Sequence, residues 1–213
     1  MKKRESGSPI PPLPVYRPVP DSVSCFCAGV VWRMHENRIQ YAWVPYKMNG
    51  TGMYQVKLAG GMWKKGESPV NTIRRELEEE LGVEIKPEEA EYIYGVLEDC
   101  RMHVKLFFLI TAPKRELRQD AYDAETGKPE WSGDVEWLEK NLFGMHQTAF
   151  RYAKERLAAY IKAEECMAHL VAAVMSGLIA PDNRIKGLLR QRALKDPDFF
   201  MRYAEELVEI EAA

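Results

Sequence analysis

The sequence has no apolar run approaching the ~20 residues that cross a bilayer as a helix. It also lacks an excess of either charge sign: 30 Lys and Arg against 32 Asp and Glu leave a formal net charge of −2. The first absence excludes a membrane-spanning helix. The second leaves no overall electrostatic pull on nucleic acid or anionic membrane, so a polyanionic substrate must be held by local cations. Cysteine is scarce: Cys25, Cys27, Cys100 and Cys166 form neither a C-x-x-C pair nor a spaced set of metal ligands. Cys25 and Cys27 sit two apart in a β-like run, on one face of a strand. They are expected as buried reduced thiols, which suits a reducing cytosol. The basic start MKKRESGSPIPPLP meets Pro and Ser where a signal peptide would carry its apolar stretch, so a cytoplasmic location is expected.

Proline is unevenly spread, with six of thirteen in residues 1–20. That stretch reads as an extended leader without a core of its own. The composition, 46% hydrophobic and 29% charged, is that of a globular chain. A length of 213 residues suits one domain with an appendage.

From Ser22 onward the pattern is β-rich. SVSCFCAGVVW and RIQYAWVPY read as strands around the polar turn Met34–Asn37, and KMNGTGM as a loop before the short strand YQVKLA. A helix follows, then strands EYIYGVLE and MHVKLFFLIT. A polar stretch from Pro113 to Asp134 reads as a long loop and DVEWLE as a further short strand. After Phe143 the spacing becomes helical up to a stop at Gly177, with two more helices expected over 184–194 and 197–212. The organisation expected is a leader over 1–20, an α/β domain over 21–160 and a helical extension over 161–213.

Chemistry concentrates in GMWKKGESPVNTIRRELEEELGV. Ser68 can cap a helix, Pro69 suits its first position, and Gly82 suits the left-handed residue after its last turn. With Glu76 at 0° and about 100° per residue, Ile73, Leu77, Val70 and Leu81 fall between roughly 60° and 140°. That is the buried stripe. Glu79, Glu76 and Glu80 lie beside it at roughly −60°, 0° and 40°. Arg74 and Glu78 share the remaining side and are expected to pair in solvent. Carboxylates at i, i+3 and i+4 repel, and more so against an apolar stripe. A hard divalent cation such as Mg²⁺ or Mn²⁺ resolves this, since it prefers carboxylate oxygens and leaves positions for water and phosphate. Arg75 is the nearest built-in cation, with Glu67 its candidate partner.

The arrangement Gly61-x5-Glu67-x7-Arg75-Glu76-Leu77-x-Glu79-Glu80-x-Gly82-Val83 matches every defined position of the Nudix box. From average residue frequencies, a chance match in such a chain is on the order of one in ten million, so a merely solvated charged face is set aside. The segment resembles the Nudix hydrolase family, and the element order from about Ser22 to Tyr160 is similar to that domain. The resemblance implies an α/β/α sandwich with a mixed sheet, and hydrolysis of a nucleoside diphosphate linked to another moiety with Mg²⁺ or Mn²⁺. By position it implies Glu76, Glu79 and Glu80 as metal ligands, with a backbone carbonyl from Gly60 or Gly61. Glu67 and Arg75 would hold the helix. The general base varies in the family: a helix glutamate, or an acid of the downstream loop, where Glu130, Asp134 and Glu136 are candidates and Asp134 is preferred. One departure is Ala59, where many relatives carry Pro. The marks that separate substrate subfamilies are absent.

Substrate contacts are expected from an aromatic and a basic group. Trp63, Trp43 and Arg38 are the candidates chosen, from a wider set of Tyr41, Tyr46, Trp131, Arg33, Lys57 and Lys64. The four histidines show no metal-ligand spacing and receive no role. Apolar stripes beyond the domain are expected to pack on it, to form a homodimer, or to act as a lid. Three function classes remain: a metal-dependent pyrophosphohydrolase acting on a small nucleotide, a Nudix fold used as a nucleotide-sensing module, and an RNA 5′-end pyrophosphohydrolase. No basic patch flanks the box to support the third.

Overall fold

The computed structural model describes residues 15–47, 54–98, 103–114, 116–120, 126–175, 178, 182 and 184–189. The chain divides into two compact units, Met1–Leu157 and Ala158–Ala213.

The first unit carries two sheets. One has the order β5-β1-β7-β6, formed by β1 (Ser24–Val30), β5 (Gly60–Met62), β6 (Ala90–Glu98) and β7 (His103–Ile110). β1 runs parallel to β7, while β5 pairs with β1 and β6 with β7 antiparallel, so the sheet is mixed. The other contains β2 (Trp32–His35), β3 (Arg38–Lys47) and β4 (Tyr54–Lys57), with β8 (Glu130–Ser132) paired to β3. Glu36 and Asn37 both take positive φ in the tight β2–β3 turn, whose twist then matches the strands it joins. The expected strand SVSCFCAGVVW is thus two strands, divided at Val31.

Alternation along β1 and β7 builds three layers. Cys25 and Cys27 on β1, with Val104, Leu106, Phe108 and Ile110 on β7, belong to one buried cluster with Val70, Ile73, Leu77 and Leu81 of helix α1 (Pro69–Leu81). Phe26 and Phe107, one residue out of phase, meet His146 at the start of helix α3 (Met145–Met175) instead. Helices therefore cover both faces, which is the α/β/α sandwich expected. Cys25 and Cys27 are free buried thiols with sulfurs 3.8 Å apart.

DVEWLE is not a strand. It forms helix α2 (Val135–Asn141), because the Asp134 carboxylate accepts from the Trp137 amide and Leu138 turns inward. The stretch read as one long loop contributes β8 to the second sheet. In the second unit α3 continues to Met175 and residues 184–189 are helical. The stop at Gly177 and the helix over 197–212 lie outside the described residues, as does Cys100. No helix among the described residues is long and apolar enough to cross a membrane.

Candidate active site

Helix α1 starts and stops as its sequence dictates. Ser68 is extended and its Oγ accepts from the Asn71 amide at 3.2 Å; Pro69 follows, and Gly82 closes the helix at φ 66°. Val70, Ile73, Leu77 and Leu81 are fully buried, which fixes the rotation of the helix. That rotation leaves Glu76 and Glu80 buried at the edge of the stripe, and Glu79 half-exposed beyond them. Glu78 faces solvent. Arg74 does not behave as expected: its Nε donates to the Ile85 carbonyl at 3.0 Å, where the chain turns back after the helix.

The backbone before the helix is shaped for these acids. Gly60 has φ 152°, and a Cβ there would lie 2.2 Å from the Cys27 carbonyl oxygen. A Cβ on Gly61 would lie 2.6 Å from the carboxyl atoms of Glu76. Only glycine lets strand β5 approach β1 on one side and the Glu76 carboxylate on the other.

Two cations divide the carboxylates. Arg75 Nε and Nη2 grip the two oxygens of Glu67 at 2.8 and 3.1 Å, Nη1 reaches Glu76 and Glu79 at 2.7 and 2.8 Å, and Nη2 also donates to the Met62 carbonyl. Glu67 further accepts from the Lys64 amide and the Thr72 hydroxyl. Lys57 Nζ donates to Glu80 Oε1 at 2.8 Å and to the Gly60 carbonyl at 3.0 Å, while the Gly60 amide donates to Glu80 Oε2 at 2.8 Å. Lys57, Glu80 and Gly60 thus form a closed, buried ring of hydrogen bonds.

The electrostatics follow from these contacts. The Arg75 guanidinium holds the Glu67 carboxyl down at about 2. Burial raises Glu76, against Arg75, and pushes Glu80 up to about 7, against Lys57 and the Gly60 amide. Burial works against the charge on Arg75, but its bonds to Glu67 and Glu76 outweigh it and raise its pKa. Two buried carboxylates that resist ionisation are a setting in which added positive charge is favourable. Carboxylates and a backbone carbonyl are also the hard oxygen donors that Mg²⁺ and Mn²⁺ prefer. The residues fit such an ion by chemistry. Among the described residues, however, no three acidic, imidazole or thiol groups converge closely enough to form a ready cage. Arg75 and Lys57 draw the glutamates to different partners.

These groups line one cavity of about 640 Å³. Its acidic wall is Glu76, Glu79 and Glu80 with Gly60 and Gly61; its cations are Lys57, Lys64, Lys105 and Arg75. The aromatic part of its lining is Phe26, Tyr46, Phe107 and Phe143, with His146. Burial, then the nearby Lys57 and Lys105, press His146 down to about 3. It is neutral, and its Nδ1 accepts from the Leu58 amide at 3.2 Å.

Of the substrate contacts considered from sequence, Tyr46, Lys57 and Lys64 line this cavity, whereas the three chosen lie outside it. Trp63 packs against the core cluster and its amide donates to the Cys25 carbonyl. Trp43 stands edge-on to Trp137 with centroids 5.2 Å apart. Arg38 is exposed at the β2–β3 turn, opposite His35. None of the three lines the cavity, nor do Glu130, Asp134 or Glu136. Asp134 is bound up in capping α2. Sequence reasoning missed Phe26, Phe107, Phe143, Lys105 and His146. The out-of-phase aromatics on β1 and β7 were the available sign.

A family model described as the NUDIX domain matches residues 28–157, more than half of the chain. Among solved structures, the NUDIX domain of Shewanella oneidensis NrtR, cocrystallised with ADP ribose, is 18% identical with a TM-score of 0.53, covering 65% of this chain and 90% of that one. NrtR from the same organism with a 27mer DNA is 19% identical with a TM-score of 0.50, covering 62% of this chain and 61% of that one. A MutT/nudix family protein from Enterococcus faecalis is 18% identical with a TM-score of 0.45, covering 54% of this chain and 45% of that one, so the match spans less than half of that protein. The comparison with curated proteins gives no match. With the family model spanning the sandwich and its capped, glutamate-rich helix, the chain belongs to the NUDIX domain family.

Proposed function

We propose that the protein is a divalent-metal-dependent hydrolase of a phosphoanhydride bond in a nucleoside diphosphate linked to another moiety. The observation that carries this reading is that Glu76, Glu79, Glu80, Gly60 and Gly61 line the same cavity as Lys57, Lys64 and Lys105 and the aromatic residues Phe26, Phe107 and Phe143. Glu76, Glu79 and Glu80, with a carbonyl of Gly60 or Gly61, would hold Mg²⁺ or Mn²⁺. When bound, such an ion neutralises phosphate charge and lowers the pKa of an attacking water. Arg75 and Glu67 fix the helix so that these carboxylates face the cavity. A helix glutamate takes the proton of the attacking water, in preference to Asp134, whose carboxylate is engaged by the Trp137 amide. Lysines on the cavity wall orient the phosphates by charge. The aromatic wall receives the remainder of the substrate and limits water around the reacting phosphorus.

The test is a turnover screen with Mg²⁺ or Mn²⁺ over nucleoside triphosphates, ADP-ribose, nucleotide sugars, dinucleoside polyphosphates and triphosphorylated RNA. Turnover of at least one class, abolished by EDTA, is expected. A chain that binds one of these ligands yet hydrolyses none would instead be a nucleotide-sensing module, a use compatible with the ADP ribose held by the NUDIX domain of NrtR.

A further inference from the structure

Lys57 occupies the corner where a metal ion would find its innermost oxygens. One oxygen of Glu80, Oε2, is taken by the Gly60 amide at 2.8 Å. The other, Oε1, is the one Lys57 holds at 2.8 Å, and the second acceptor of Lys57 is the Gly60 carbonyl at 3.0 Å. A hard cation would seek that same carboxylate oxygen and that same kind of carbonyl, at roughly 2.0–2.6 Å. Both side chains of the pair are buried, at 11% and 5% exposure. An ammonium and a divalent ion sharing one oxygen there would repel with little screening. They exclude each other.

We propose that Lys57 is a place-holding counter-ion. In the metal-free protein it neutralises Glu80 and keeps the Gly60 carbonyl turned inward; when the divalent ion binds, it yields Oε1. This rests on the metal-dependent reading above. The ammonium keeps a partner when it yields Oε1: Nζ already lies over the Tyr46 ring, 5.2 Å from its centroid, and the flexible four-carbon stem allows a small shift that retains that face. Tyr46 lines the same cavity, so the displaced charge stays beside the space assigned to phosphate. Lys57 is a positioning residue in this scheme, acting through Glu80.

The experiment is Mn²⁺ titration followed by electron paramagnetic resonance of the free ion, on wild type, K57M, K57R and E80Q. Thermal melts in EDTA and in saturating Mn²⁺ run alongside. Removing the competing charge is expected to tighten Mn²⁺ binding about five- to tenfold in K57M. Its metal-free melt should fall, and its metal-bound melt should return toward wild type. K57R keeps the charge and should stay within about twofold of wild type in affinity. A folded K57M that binds Mn²⁺ no more tightly than wild type overturns the proposal, because a purely structural lysine would leave affinity unchanged or weaken it. Should K57M not fold, acetylation of Lys57 in wild type, read by mass spectrometry, decides: labelling is expected to rise with Mn²⁺, and unchanged labelling overturns the proposal. Absence of Mn²⁺ binding by wild type would sink the metal-dependent reading and this one together. Binding that is lost in E80Q but not tightened in K57M would sink only this one.

Discussion

Arg75 and Glu67 meet by two parallel bonds, Nε to Oε1 at 2.8 Å and Nη2 to Oε2 at 3.1 Å, with both side chains largely buried. This fork ties the middle of α1 to the loop that precedes it. The same guanidinium still reaches Glu76 and Glu79, so one residue sets the placement of three carboxylates.

Lysine cannot reproduce a planar fork. R75K is expected to lose on the order of 2–3 kcal/mol of stability, the scale for charged hydrogen bonds whose buried partners are left unmet. Urea unfolding measures it. An unchanged midpoint would mean that the fork does not hold the helix.

The two glycines of β5 should fail differently. A methyl on Gly61 meets the end of the Glu76 side chain at 2.6 Å, which can move at a cost of about 1–3 kcal/mol. G61A should therefore fold while losing at least about tenfold in Mn²⁺ affinity, since Glu76 is pushed out of place. A methyl on Gly60 meets the β1 backbone at 2.2 Å, at a φ of 152°. Backbone cannot step aside, so G60A should melt well below G61A. Equal melting temperatures would contradict this account of the strand contact.

His146 gives the fold a pH dependence. Its folded pKa is pressed down to about 3, from an ordinary 6.5. Between these values the unfolded chain binds the proton and the folded chain does not, so stability is complete above about pH 6.5 and falls as pH drops toward 3. The slope is about 1.4 kcal/mol per pH unit at most, which makes the loss from pH 7 to pH 5 on the order of 1–2 kcal/mol. H146Q, whose amide oxygen can still accept from Leu58, should show a shallower loss over that range in denaturant unfolding. Parallel curves for the two proteins would remove His146 as the cause.

What the sequence made legible was local. The α1 stripe, its Ser68 cap and its Gly82 stop all lie within fifteen residues, and the same periodicity separates Glu76, Glu79 and Glu80 from Glu78. DVEWLE misled because Val135 and Trp137 alternate like a strand, although Asp134 at a cap position and Lys140 in the last turn are helix signals. The cavity's aromatic wall was hidden for a different reason. Phe26 and Phe107 face the same space only because β1 and β7 pair in parallel, placing Phe26 opposite Lys105 and Ala28 opposite Phe107. The out-of-phase aromatics marked a second apolar face on each strand, but which residues share one space depends on a register between distant strands that has no local signature. Trp63, Trp43 and Arg38 were chosen by residue type, without that register, and they do not line the cavity. Lys57 was visible as a cation near the box, but its bond to Glu80 depends on β4 and α1 meeting in space.

The most direct measurement is the metal-dependent turnover of E80Q against that of E78Q, two neutralised glutamates on the same helix. Glu80 is buried at 4% exposure on the cavity wall, whereas Glu78 faces solvent. With any substrate the wild type hydrolyses, E80Q should lose at least about a hundredfold in kcat and melt below wild type while still folded, since Lys57 loses its buried counter-ion; E78Q should keep both its rate and its melt. E80Q turning over as fast as E78Q would contradict the assignment of this helix to catalysis.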